Sequence, residues 1–213
     1  MTVRRLGLVV HPRRDLDEVL GTLRGWASEH GVELGQVRIA GQTREVADPI
    51  QPGECDLVVA LGGDGTTLAA LHEAAAVARP VLGVACGSVG MLTSTAAAHV
   101  DEALDEIAAG DWTAAAVPGL EIAFDGDRRE TAINDVAVLR DGPGQALVAV
   151  KVDGELYARV AGDGLVVATA IGSSAYNMAA GGPLLSPTCK NFAITPVAAH
   201  SGSSSAPAPG MPN

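Results

Sequence analysis

The sequence predicts an α/β N-terminal domain built on a parallel sheet, followed by a β-rich, sandwich-like C-terminal domain that looks incomplete. Three observations carry this. Short apolar runs alternate with helical patterns up to about Asp111. From Leu120 onward, β-type runs are separated by Asp-Gly and Gly-Pro-Gly turn signals. A chain of 213 residues with 47% hydrophobic content is long enough to bury one large core or two small ones.

Leu6 to Val10 is an apolar run ending at His11-Pro12, and reads as a first buried strand. From Asp15 to His30 the spacing of Leu16, Val19, Leu20, Leu23 and Trp26 predicts a helix, which Gly31 terminates. Val32 to Ala40 offers a second strand. Asp56 to Leu61 is apolar without alternation, as expected of a parallel strand covered on both faces. It feeds glycines and a helix over Thr66 to Ala78; Pro80 to Ala85 is the next strand, and Val100 to Ala109 the next helix. In the second half, strands are expected at Leu120 to Phe124, Ala132 to Leu139, Ala146 to Val152, Leu156 to Val160 and Leu165 to Ala170. Gly162-Asp163-Gly164 reads as one of the turns between them. The domains therefore run over 1–113 and 114–200, and the Ser, Gly, Ala and Pro of 201–213 predict an unstructured tail.

The formal charge of −11 argues against a nucleic-acid partner, whose phosphates call for a basic face. It also constrains any phosphate chemistry. Lys151 and Lys190 are the only lysines and neither lies in a glycine-rich loop, so main-chain N–H groups, arginines or a divalent metal must hold phosphates. Cys55, Cys86 and Cys189 are far apart, with no Cys-x-x-Cys spacing, which fits reduced thiols in the cytoplasm. His11, His30, His72, His99 and His200 show no ligand spacing, and no protein metal site is predicted. The opening apolar run is too short for a signal-peptide core, and no stretch approaches the roughly 20 apolar residues of a membrane span.

The most informative segment is Leu57 to Leu68, in which a buried strand enters Gly62-Gly63-Asp64-Gly65-Thr66 at the head of a helix. Such a turn admits a phosphate close to the backbone, and the helix N-terminus adds free N–H donors. It is not a Walker A loop, because no lysine follows. The same residues also suit a plain strand-to-helix turn with Asp64 as its cap. Asn134-Asp135 and Gly162-Asp163-Gly164 taken singly read as turn chemistry, and Tyr176 as a core aromatic.

Gly-Gly-Asp-Gly-Thr resembles the shared motif of a kinase superfamily that includes NAD kinases, phosphofructokinases and lipid kinases. Gly162-Asp163-Gly164, the apolar strand after it, Thr169, Gly172-Ser-Ser-Ala-Tyr176-Asn177 and Ala180-Gly-Gly-Pro183 resemble the NAD kinase signature in particular. Asn134-Asp135 and Ile194-Thr-Pro196 resemble two further family segments in the same order, so that the likeness covers about residues 6–200. The resemblance implies transfer of a phosphoryl group from ATP, or from polyphosphate, to the adenosine 2′-hydroxyl of NAD, with Mg²⁺ or Mn²⁺ carried on the ATP. It implies Asp64 as general base, and Gly62, Gly63, Gly65 and Thr66 at the triphosphate. Asp64, Gly65, Asn134, Asp135, Asp163, Ser174, Ala175, Tyr176 and Asn177 would hold NAD. A cytoplasmic homodimer or homotetramer built through the β domain is also implied.

Four departures stand out: Asp135 replaces a Glu, Ala170-Ile171 a Pro-Thr, Ala179 a Ser, and Ala85 an Asn. After His200-Ser201 the family pattern continues into further strands, whereas Gly202 to Asn213 offers none, so the sequence leads us to expect a shortened β domain of reduced stability. Three readings follow: a competent NAD kinase, a remnant that binds nucleotide without turnover, and a lipid kinase of the same superfamily.

Overall fold

The structure, a computed structural model, describes residues 3–199; the expected tail and His200 lie outside the described residues. The chain divides into two compact units between Ala116 and Val117.

The first unit is a six-stranded parallel sheet. In chain order it contains β1 (Arg5–Val10), α1 (Asp17–His30), β2 (Glu33–Val37), β3 (Pro49–Ile50), β4 (Leu57–Gly62), α2 (Asp64–Ala75), β5 (Val81–Ala85), β6 (Thr95–Ala96) and α3 (Val100–Ala109). The strands lie in the order β3-β2-β1-β4-β5-β6, and every pairing is parallel. Because successive side chains point to opposite faces, each central strand feeds two cores. Leu6, Leu8 and Val10 with Leu57, Val59 and Leu61 pack under α1 and α3, while Val9, Val58 and Ala60 pack under Ala70 and Ala74 of α2. This is why β1 and β4 read as unbroken apolar runs. The α1 helix buries Val19, Leu20, Leu23, Trp26 and Ala27, the larger of which contribute about 1.5–3 kcal/mol each. Gly31 closes it in a left-handed conformation at φ 65°, donating its N–H to Ala27 O.

The α2 helix differs from expectation at both ends. It begins at Asp64, two residues early, and stops at Ala75, where Arg79 N–H reaches back to Ala74 O and Ala78 takes φ 51°. The alanine run carries high helix propensity to Ala78, but the turn into β5 overrides it. The edge strands β3 and β6, two residues each, were too short to read from pattern.

The second unit comprises β7 (Leu120–Ala123), β8 (Arg129–Ala132), β9 (Asp135–Leu139), β10 (Ala146–Val152), β11 (Glu155–Gly162), β12 (Gly164–Ala168), α4 (Tyr176–Ala179) and β13 (Ala193–Val197). Its described strands form antiparallel sheets β7-β8, β10-β11 and β13-β12-β9. The β10–β11 hairpin turns at Asp153-Gly154, where both φ angles are positive, as a two-residue hairpin turn of this kind demands. Two expectations are corrected. Ala132 to Leu139 is two strands, broken at Ile133-Asn134, because its halves pair with different partners. Gly162-Asp163-Gly164 is no hairpin turn: the chain runs from β11 directly into β12, and Asp163 alone separates two sheets. Among the described residues, no helix is long and apolar enough to cross a membrane.

Candidate functional site

In the first unit, strand order reverses between β1 and β4: the chain leaves β1 toward β2 on one side, and β4 toward β5 on the other. Loops that follow the two strands then diverge at their C-terminal ends and leave a crevice, the usual ligand position in open α/β sheets. A cleft of about 300 Å³ sits there, lined by Val10, His11, Pro12, Arg14, Ile39 and Gly63 to Thr66. All four residues expected at the triphosphate, Gly62, Gly63, Gly65 and Thr66, lie on the turn that forms its β4 wall or just behind it.

The geometry explains the composition of that turn. A Cβ on Gly62 would collide with the Thr66 side chain, so glycine lets α2 begin immediately after β4. Thr66 is buried, and Thr67 Oγ1 donates to Gly63 O at 3.2 Å, tying the first helical turn to the loop. Asp64 does not cap α2, whose N-cap is Gly63. Its carboxylate instead accepts Met91 N–H on Oδ2 and Leu92 N–H on Oδ1, both at 2.9 Å. The loop after β5 comes this close only because residue 90 is glycine; a Cβ there would overlap the Asp64 carboxylate. The carboxylate is thus held by two main-chain donors at the mouth of the cleft, and each oxygen keeps lone-pair capacity for a ligand.

Two polar cleft residues were absent from the sequence-based site, His11 and Arg14. His11 Nδ1 accepts the N–H groups of Arg13 and Arg14 at 3.1 and 3.0 Å, which leaves the proton of the neutral ring on Nε2. Arg14 Nη1 donates to Cys86 O at 2.7 Å. Their signal was topological: both follow β1, the strand beside β4, but that adjacency is not written in a local pattern. Burial, then the positive charges of Arg14, Arg13 and Arg44, push the His11 pKa below its ordinary value. The fold therefore prefers neutral imidazole, and the unfolded chain takes up the proton first. The stabilisation is complete above about pH 6.5 and is lost as pH falls through the lowered folded value. Melting temperature should accordingly drop on acidification from about pH 7 to 5.5, and the slope should be shallower in His11→Ala.

In the second unit, the β9 break turns Asn134 and Asp135 toward the segment after β12. Asp135 Oδ2 accepts Tyr176 N–H at 3.0 Å, at the head of α4. Thr169 clamps the break: its N–H donates to Asn134 O and its hydroxyl to Ile133 O, while Gly172 N–H donates to Thr169 Oγ1. Asn134 Oδ1 is buried and accepts no hydrogen bond among the described residues, an arrangement that costs about 1–3 kcal/mol until a donor reaches it. Asn177 is fully buried; its amide donates to Ser173 O and Pro183 O and accepts from Thr195 Oγ1 at 2.6 Å, so its side chain braces the segment from within. Ser174 Oγ donates to Ile171 O, Ala175 is the N-cap of α4, and the Tyr176 ring is exposed rather than in a core. Asp163 pairs with Arg140, Nε to Oδ1 at 2.7 Å, while Arg140 N–H donates to Asp163 O. Arg140 is a further residue that sequence reading passed over.

These features have counterparts in known proteins. The ATP-NAD kinase N-terminal domain model matches residues 6–112, and the ATP-NAD kinase C-terminal domain model matches residues 133–206. The chain belongs to the NAD kinase family. The NAD kinase of Chlorobium phaeobacteroides is 33% identical over 206 residues, which span 92% of this chain and 71% of that one. That of Prosthecochloris aestuarii is 31% identical over 196 residues, spanning 88% and 68%. An Archaeoglobus fulgidus NAD kinase solved in complex with ATP superposes with a TM-score of 0.67 at 25% identity, covering 93% of this chain and 74% of that one. The yeast NADH kinase, solved with NADH, shares the fold with a TM-score of 0.69 at 20% identity, covering 95% and 68%. The C-terminal match removes the lipid-kinase reading, because it covers the segment that distinguishes NAD kinases within the superfamily.

Proposed function

We propose that this NAD kinase transfers the terminal phosphoryl group of ATP to the adenosine 2′-hydroxyl of NAD, giving NADP and ADP. The observation that carries the reading is Asp64, fixed by Met91 and Leu92 N–H groups in the cleft that the Gly62–Thr66 turn forms. In the reaction, Asp64 takes the proton of the 2′-hydroxyl as that oxygen bonds to the γ-phosphorus, and the bond from phosphorus to the β,γ-bridging oxygen breaks to release ADP. Phosphoryl transfer asks mainly for alignment and charge stabilisation, and an oriented carboxylate with main-chain donors supplies both.

Asn134, whose buried Oδ1 has no partner among the described residues, and Asp135 are suited to ribose hydroxyls, which donate. Asp163 offers its remaining carboxylate oxygen toward the nicotinamide amide, and Ser174, Ala175 and Tyr176 line the adenine side. Among the described residues, no three His, Cys, Asp or Glu side chains gather to hold a metal ion. An Mg²⁺ or Mn²⁺ ion carried by the phosphates of ATP, which needs few protein ligands, would neutralise their charge. Polyphosphate as an alternative donor, a cytoplasmic setting and a homodimer or homotetramer belong to the same reading.

The test is NADP formation from NAD, ATP and Mg²⁺ by the purified chain, read through an NADP-specific dehydrogenase. Steady, enzyme-dependent NADP production is expected. A folded chain that binds NAD without making NADP would establish the non-catalytic alternative instead.

A further inference from the structure

We infer that Arg14 is the side-chain cation that grips the phosphate chain of the donor in the cleft between β1 and β4, an inference that takes its substrate from the kinase reading. The chain carries 25 acidic residues against 14 basic ones, so a polyanion needs a local exception to the overall charge. Both lysines lie in the second unit. At the cleft, by contrast, Arg13, Arg14 and Arg44 all stand near enough to act on His11.

Arg14 keeps its charge uncompensated at the cleft, where Arg44 does not. Arg44, which stands beside it, pairs with Asp17 at 3.9 Å, whereas Arg14 makes no ion pair among the described residues. Among the described residues its one side-chain bond goes to Cys86 O, which leaves four of the five guanidinium N–H donors without an acceptor there. The group also fills a place the backbone has cleared for it. A Cβ on Gly87 would lie 2.5 Å from Nη1, and one on Gly63 would lie 3.9 to 4.0 Å from the two terminal guanidinium nitrogens. The charge therefore bridges the loop after β5 and the Gly62-Gly63 turn, beside the N-terminus of α2, whose own dipole and free N–H groups favour the same anion.

The main chain at Arg14 is held as well. His11 Nδ1 accepts the Arg14 N–H, and Arg44 Nη1 donates to Arg14 O at 2.5 Å. Fixing the main chain on both sides lowers the ordering cost of binding. A planar fork so held can offer two parallel N–H bonds to one phosphate, which a lysine cannot.

The experiment is calorimetric titration of the full chain with Mg·ATP, with inorganic tripolyphosphate and with NAD, for wild type, Arg14→Ala and Arg14→Lys. Arg14→Ala should weaken Mg·ATP and tripolyphosphate by about ten- to a hundredfold, the usual effect of losing charge-assisted hydrogen bonds, and leave NAD affinity unchanged. Arg14→Lys should recover part of the loss. Unchanged Mg·ATP affinity in Arg14→Ala would overturn the inference, as would an equal loss for NAD, which would mark a structural role. Tripolyphosphate binding that depends on Arg14, in a wild-type chain that makes no NADP, would uphold the inference and sink the kinase reading alone.

Discussion

Replacing Asp64 with Asn should lower kcat for NADP formation by about two to four orders of magnitude while NAD affinity stays close to wild type. The first half of that expectation follows from the loss of a positioned base, whose contribution is commonly about 10²–10⁴-fold. The second half needs argument, because Asp64 also has a structural task. Met91 and Leu92 each aim an N–H at one carboxylate oxygen. An Asn side chain supplies one oxygen and turns its amide NH₂ toward the other donor, so one bond to the loop after β5 is replaced by a donor–donor clash. That costs about 1–3 kcal/mol, enough to lower the melting temperature by several degrees but not to unfold the unit. Rate, NAD affinity and melting temperature must therefore be read together. A collapsed kcat with NAD affinity retained assigns Asp64 to chemistry; a parallel loss of NAD affinity assigns it to holding the loop. An unchanged kcat would remove it from the base role altogether.

How much of this was legible in the sequence depends on the separation of the residues involved. β1, α1, β4, β5 and α3 were readable because each carries its signal within its own length, either an unbroken apolar run or a helical spacing closed by a glycine such as Gly31. The Gly62–Thr66 turn was readable for the same reason. The break at Ile133-Asn134 was not, because it arises from the choice of partner: β8 pairs with β7, whereas β9 pairs with β12, and apolar alternation is silent about partners. Asp163 misled in the opposite direction, since Gly-Asp-Gly has turn composition yet here carries the chain straight from one sheet to the next. The partners of Asp64 are 27 and 28 residues away, and Arg14 meets Cys86 across 72 residues. Gly90, unremarkable in sequence, makes sense only once the Asp64 carboxylate is seen against it.

The largest structural effect should come from Gly172→Ala. A Cβ at this position would overlap the carbonyl oxygen, carbonyl carbon and Cα of Asn134, all backbone atoms that no rotamer change can move aside. The chain would have to part where Thr169 joins the two segments through its N–H to Asn134 O, its hydroxyl to Ile133 O and the Gly172 N–H to its own Oγ1. Overpacking of this kind costs about 3 kcal/mol or more, which for a chain of this length lowers the melting temperature by roughly 6–12 °C. Because the same clamp sets the direction of Asn134 and Asp135, NAD affinity should fall with stability, while Mg·ATP affinity, which the first unit supplies, should hold. Gly21→Ala is the control: it lies inside α1 with nothing within 4 Å of its Cβ position, and should be neutral or stabilising by about 0.5–1 kcal/mol. If Gly172→Ala instead melted like Gly21→Ala and kept its NAD affinity, the contact between Gly172 and Asn134 could not be what orients the pair, and the ribose-binding role given to Asn134 and Asp135 would lose its structural basis.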